Sequence, residues 1–336
     1  RRYRHNHDIA CRLTGRDVRN VKVAALLHDL GHGPFSHVME HVFPEATGEH
    51  EKRSQQMIVE ECSGIRQVLE SHSFTSTDIE TVQMLLEQHE VPYLHDIISS
   101  TLDADRMDYL LRDSHFTGVK YGSFDLEWLI NSFCLGYLPK FDSKAPFIRL
   151  CLDRKRGQHA AEQLIVARAH MTMQVYGHAI TRLWEAHLLM LFAEATALAQ
   201  EDKLPPNTPP HVTEYLRAQG KVPHEKFLLF DEPSVIASMS IWATSDGTST
   251  LKTLSSAFLN REKILGCREL PFVPEYKRRN EQITQTLSKA IGDETKSGWK
   301  LDCYDFSAYH RACPKNCSSN GVNYGGLRTF TSDNQN

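Results

Sequence analysis

The sequence has 336 residues, 24% of them charged and 40% hydrophobic, with a formal net charge of −4. No polybasic block, signal-peptide pattern or apolar run of roughly 18–20 residues occurs, so a dominant nucleic-acid or membrane role is not indicated. The length allows one large domain or two; the eight cysteines are scattered and read as mostly buried cytosolic thiols.

The pattern along the chain predicts a mainly α protein, and the start at Arg1 predicts that further sequence precedes it. Asp17, a good N-cap type, precedes a nearly continuous apolar run over Val18–Leu27. Helices are expected next over Ser36–Phe43, Glu49–Cys62, Thr77–His89 and Ser99–Ser114, separated by Pro, Gly and Ser. Phe141–Asp153 alternates and predicts a strand pair or arm. Gln158–Gln200 carries Leu164, Ala167, Met171, Val175, Ile180, Leu183 and Leu188 near helical spacing and reads as one long helix. Asp202–Pro210 reads as a loop, and Pro233–Trp242 and Thr250–Arg261 as further helices. Residues 293–336, rich in Gly, Ser, Asn and Thr, suggest short strands or a partly ordered tail. Within them His310, Cys313 and Cys317 lack a second cysteine pair at metal spacing, which disfavours a zinc knuckle.

The densest chemistry lies in His28-Asp29-Leu-Gly31-His32-Gly33-Pro-Phe-Ser-His37. The His-Asp dipeptide alone means little, because it recurs at His7-Asp8 and His95-Asp96 among 18 histidines. Its setting is different here: it ends an apolar helix, and Gly31 and Gly33 let the backbone turn sharply and approach a ligand closely. An imidazole nitrogen and a carboxylate oxygen can share one cation. A hydrogen-bonded core pair satisfies the same two groups, and residue chemistry leaves both readings open.

The second carrier is Asp103-Ala-Asp105-Arg106-Met-Asp-Tyr109-Leu-Leu-Arg112-Asp113. At helical spacing Asp105, Arg106, Tyr109, Arg112 and Asp113 share one wedge, with Met107, Leu110 and Leu111 opposite. A solvated face laced with i,i+4 ion pairs is one reading. A grip on a phosphate ester beside a cation is the other, with Arg as a bidentate donor.

Arg2-Tyr-Arg-His5, the His28–His37 run, the Asp103–Asp113 run and Gln174-Val-Tyr176-x-His178 occur in that order. Together they resemble the HD-domain superfamily, and within it the deoxynucleoside triphosphate triphosphohydrolases, including dGTPase-like proteins and the vertebrate SAM-and-HD-domain enzyme. The resemblance runs from Arg2 to about Glu185 and more weakly through Phe227–Asp231 and Leu254–Arg261. It implies a helical HD core over residues 1–200 and a smaller C-terminal helical or α+β subdomain over 201–336.

The resemblance also implies roles for single residues. His5, His28, Asp29 and Asp105 match the family's metal ligands; His7 competes with His5, but Arg2-x-x-His5 fits the family pattern. Such a set is compatible with Fe, Mn, Mg, Ni or Zn. His37, Glu40 and His50 match groups acting on the leaving group and the water, although the family has Asp where Glu40 stands. Glu51, next to His50, is expected to fix that imidazole's tautomer. Arg2, His32, Arg106, Tyr109, Asp113, Arg168 and Tyr176 match positions that contact triphosphate, sugar or base. For His41, His72, His89, His95 and His159 an ordinary surface or core role is expected.

The implied reaction is metal-assisted hydrolysis at the α-phosphorus, giving deoxynucleoside and inorganic triphosphate. Two alternatives stand beside it: a phosphohydrolase of nucleoside monophosphates or cyclic nucleotides, and a nucleotide-sensing module. A cytoplasmic homo-oligomer is expected, with an allosteric nucleotide at subunit contacts, one of which would involve Asp125.

Overall fold

Thr14 and Asp17 open the first helix, α1 (Gly15–Leu27), with a reciprocal capping box: Thr14 accepts from the Asp17 N–H, and Asp17 accepts from the Thr14 N–H at 2.8 Å. The cap is therefore Thr14, and the helix starts earlier than the apolar run at Val18 suggests. The computed structural model describes residues 13–47, 50–60, 64–87, 92–138, 147–246, 249–262 and 329–330.

Short helices α2 (His37–Val42), α3 (Pro44–Thr47) and α4 (His50–Val59) follow α1. Next come α5 (Gly64–Ser71), α6 (Ser76–Glu87), α7 (Pro92–Ile98), α8 (Ala104–Thr117) and α9 (Leu126–Ile130). Helices α5, α7 and α9 are too short to show a clear period in sequence. Helix α8 starts later than the expected Ser99, because the Asp103 side chain accepts from the Arg106 N–H at 2.8 Å and so caps it.

Strands β1 (Phe133–Leu138) and β2 (Phe147–Asp153) pair antiparallel, and a short β3 (Thr329–Phe330) runs parallel to β2. The expected Phe141–Asp153 segment thus contributes β2, while its partner is a nearly all-apolar stretch without alternation. Cys134 and Cys151 face each other across this pair as free thiols, the latter pushed up to about 11 by burial. The other cysteines, and the His310–Cys317 cluster, lie outside the described residues.

The single long helix expected over Gln158–Gln200 is two. Helix α10 (Arg154–Met171) runs into a π-type turn over Thr172–Tyr176, and α11 (Ala179–Gln200) restarts after it. Gly177 N–H returns to the Thr172 carbonyl at 2.6 Å, and His178 Nδ1 accepts from the Ile180 N–H at 3.2 Å, capping α11. Periodicity cannot reveal this break, since one wider turn barely disturbs the apolar spacing. Helices α12 (Pro210–Arg217), α13 (His224–Phe227), α14 (Glu232–Thr244) and α15 (Thr250–Leu259) complete the described chain.

Three apolar clusters hold these elements. Met39, Met57, Phe192, Tyr215 and Trp242 join α2, α4, α11, α12 and α14, so the packing runs across residue 200. Ile58, Val82, Leu85 and Leu94 unite α4, α6 and α7. Leu110, Leu129, Leu164 and Met171 pack α8 and α9 against α10. Leu30, in the His28–His37 turn, packs against the first two clusters, and Tyr109, in the polar wedge of α8, against the third. Among the described residues no helix is long and apolar enough to cross a membrane.

Candidate active site

His28 ends α1, and its Nδ1–H donates to the Ala25 carbonyl at 2.8 Å. That bond turns Nε2 toward Asp29 Oδ1 at 3.1 Å and Asp105 Oδ1 at 3.4 Å. A neutral imidazole would aim a lone pair at two carboxylates there, so the arrangement demands a proton or a cation. Without a metal the hydrogen bonds with Asp105 and then Asp29 push His28 up to about 10. Burial alone would raise Asp29, but the bond and charge of His28, with the charges of His32 and His50, hold it below its usual range. One nitrogen and two carboxylate oxygens within 4.8 Å of one another fit a divalent ion with N and O ligands. His5, the fourth expected ligand, lies outside the described residues.

Beside this trio, α2, α4 and the turn before α2 bring three imidazoles around one carboxylate. Glu40 Oε1 accepts from His50 Nδ1 at 2.5 Å, and Oε2 accepts from His37 Nδ1 at 3.0 Å. Burial raises Glu40, but the bonds from His37 and His50 outweigh it and keep the carboxylate ionised. His32 stacks on His50 with ring centroids 3.8 Å apart. Burial, then the neighbouring charge of His50, pushes His32 down to about 4. Glu40, and not the expected Glu51, fixes the His50 tautomer: adjacent helical residues point about 100° apart, and Glu51 is exposed.

Two features of this turn escape a reading of the sequence. Gly31 is needed for close approach, since a Cβ there would sit 2.1 Å from the His50 carbonyl oxygen. Its N–H donates at 2.8 Å to Ser54 Oγ, a fully buried side chain one helical turn beyond His50. The Gly31–Ser54 bond thus locks the His28-Asp29 turn to the helix that carries His50. The sharp turning falls to Phe35 and Ser36, with φ of 57° and 47°, and not to Gly31 or Gly33. No local signal marks either non-glycine residue for that conformation.

The wedge of α8 divides by partner. Asp105 faces His28, while Tyr109 lies half-buried with its ring 6.1 Å from Tyr176. Tyr176 donates to Asp113 Oδ2 at 2.7 Å, so the π-type turn delivers it to the same wall. Burial pushes both phenols above their ordinary range, leaving them neutral donors. Arg168, on α10, places its charge toward Tyr109. Arg106 turns back on its own helix end, binding the buried Asp103 and the Ser100 carbonyl. Arg112 pairs with Asp108 along the exposed face. Arg2 lies outside the described residues.

The remaining expectations resolve simply. Asp125 accepts from the Trp128 N–H and caps α9. His72 and His95 donate to the carbonyls of Val68 and Leu85, and His159 pairs with Glu162. His41 is exposed, and His89 lies outside the described residues.

Residues 5–113 match the family model of the HD domain. It is 34% identical over 241 residues to the uncharacterized protein YwfO of Bacillus subtilis, covering 71% of this chain and 51% of that one. It is 30% identical over 146 residues to the deoxynucleoside triphosphate triphosphohydrolase SAMHD1 of Homo sapiens, covering 35% and 23% of the two chains. The crystal structure of a phosphohydrolase from Bacteroides thetaiotaomicron superposes with a TM-score of 0.62 at 25% identity, covering 83% of this chain and 65% of that one. The chain spans about half the length of YwfO.

Proposed function

We propose that this chain is a metal-dependent phosphohydrolase that cleaves deoxynucleoside triphosphates to deoxynucleoside and inorganic triphosphate. The observation that carries this reading is the Glu40 carboxylate bound to both His37 and His50, beside the converging His28, Asp29 and Asp105. The family match begins at His5 and ends at Asp113, the span holding all four expected ligands. Similarity to the human triphosphohydrolase supports the choice of substrate.

His28, Asp29 and Asp105, with His5, would hold a divalent ion, which would supply Lewis acidity toward a phosphoryl oxygen and a water. The chain's own residues do the rest. Glu40 keeps its charge beside His50 and steadies a proton on that ring for delivery to the departing 5′-oxygen. His32, neutral and stacked on His50, offers a nitrogen toward Asp29 at 3.7 Å without adding charge. Tyr109, Tyr176 and Asp113 form a neutral-and-anionic wall for sugar hydroxyls, and Arg168 places positive charge near it. A homo-oligomer with a regulatory nucleotide at subunit contacts belongs to the same reading.

The test incubates the metal-loaded protein with each dNTP and NTP and resolves the products by chromatography. Release of triphosphate in one step, abolished by Asp105→Ala, supports the reading. A second reading has its own observation: Arg106 is committed to Asp103 and Ser100, which reduces the charge available for a long phosphate chain. Hydrolysis of nucleoside monophosphates or cyclic nucleotides, with triphosphates inert, would favour it.

A further inference from the structure

The loop that leads into α2 holds an unusual backbone. Phe35 and Ser36 are consecutive non-glycine residues in the left-handed region, at φ 57° and 47°. Side chains occupy that region only where their surroundings over-determine it. Ser36 makes no side-chain cap on α2; locally the turn has backbone bonds alone, Ser36 N–H to the Gly33 carbonyl and Val38 N–H to the Phe35 carbonyl, each at 3.0 Å.

Further restraints on the turn come from distant parts of the described chain. The Phe35 ring packs 6.2 Å from Phe192 on α11 and 6.2 Å from Phe258 on α15. The Phe35 N–H donates at 3.0 Å to Glu232 Oε1, in the first turn of α14, 197 residues away. These restraints are not equivalent. Aromatic packing fixes the position of the ring, whereas a bonded N–H fixes the peptide plane before Phe35; together they restrain its φ. A carboxylate in the first turn of a helix is itself favoured by the positive end of the helix dipole.

We propose that Glu232 is a positioning residue for the hydrolytic site. Its carboxylate holds the Phe35 N–H, and with it the left-handed turn that aims α2 so that Glu40, already bonded to His37 on the same helix, meets His50 on α4. Glu232 acts through the Phe35 backbone and not on substrate. The proposal rests on the hydrolase reading above and adds to it a residue from outside the matched HD domain.

The test compares wild type, Glu232→Ala and Glu232→Gln as full chains. Glu232→Ala is expected to lower kcat about tenfold, the worth of one charge-assisted hydrogen bond. KM should stay within about twofold, and Tm within about 2 °C because Glu232 is exposed. Glu232→Gln keeps an accepting oxygen and should restore most of kcat. Wild-type kcat in Glu232→Ala, or equal losses in both variants, would overturn the proposal. Amide hydrogen exchange at Phe35, read by NMR, is the independent arm: about tenfold faster in Glu232→Ala and unchanged in Glu232→Gln. Unchanged exchange in Glu232→Ala overturns the clamp whatever the kinetics show. Should the wild type cleave no nucleotide, the hydrolase reading fails, and the exchange arm still decides whether Glu232 holds the turn.

Discussion

The imidazoles of His32 and His50 lie face to face, with centroids 3.8 Å apart and planes inclined by 19°. Two rings so close cannot both carry charge cheaply, and Glu40 bonds only one of the two. It bonds His50 Nδ1 directly at 2.5 Å, whereas its nearest oxygen stands 3.7 Å from His32 Nδ1. The hydrogen bond therefore belongs to His50, and burial keeps His32 neutral down to about pH 4.

Removing that division of labour should cost rate more than binding. Glu40→Gln offers only one accepting oxygen to two imidazoles, and His50→Gln removes the proton carrier. Each is expected to lower kcat by about 10²–10⁴-fold with a small change in KM. Glu40→Asp keeps both acceptors on a shorter arm and should fall between Glu40→Gln and wild type. Steady-state kinetics on the three variants checks the order.

Metal uptake should displace a proton from His28. In the metal-free protein that ring is raised to about 10 by Asp105 and Asp29, above its unfolded value of about 6.5. A raised basic group contributes stability that is complete below about pH 6.5 and is lost as pH rises toward 10. The metal-free protein should accordingly lose stability over that window. Titration with Mn²⁺ near pH 7.5 should release about one proton, read by calorimetry in buffers of different ionisation enthalpy. Asp105→Asn should reduce both effects.

Below about pH 4, acid should act through Asp78. Its buried carboxylate accepts from Thr75 N–H at 2.9 Å and Asn20 at 3.2 Å, and pairs with Arg16 and with Arg19. Burial alone would raise it, but bonds from Arg16, Thr75 and Asn20 hold it far below the usual carboxylate range. A depressed carboxyl contributes stability above its unfolded value near pH 4, which is lost as pH falls toward the folded value. Asp78→Asn should destabilise by about 1–3 kcal/mol at pH 7. The gap to wild type in urea midpoints should narrow below about pH 4.

The contact between turn and helix should tolerate little. Gly31→Ala places a methyl against the His50 carbonyl and should cost about 1–3 kcal/mol by thermal unfolding. Ser54→Ala leaves the Gly31 N–H buried without its acceptor, at a similar cost. Ser54→Thr retains the hydroxyl and should recover part of both stability and kcat.

Much of the site is legible in the sequence because its parts are local. The adjacency of His28 and Asp29 is covalent. The shared face of Asp105, Tyr109 and Asp113 follows from helical spacing, which the capped α8 realises. Arg106 lies on that face by the same rule, yet its long side chain turned back to the buried Asp103, and spacing says nothing about a rotamer. The break between α10 and α11 was hidden because an extra residue in one turn leaves the apolar stripe nearly continuous.

Composition, motif order and helical period, all short-range properties, were enough to establish a mainly α chain with an HD turn and an acid–phenol helix. Which carboxylate orients His50, why Gly31 admits no side chain and how Glu232 reaches Phe35 depend on groups brought together by burial of three apolar clusters. Packing chooses such partners by shape and by the cost of leaving buried polar groups unpaired. Neither quantity is defined until the chain has folded.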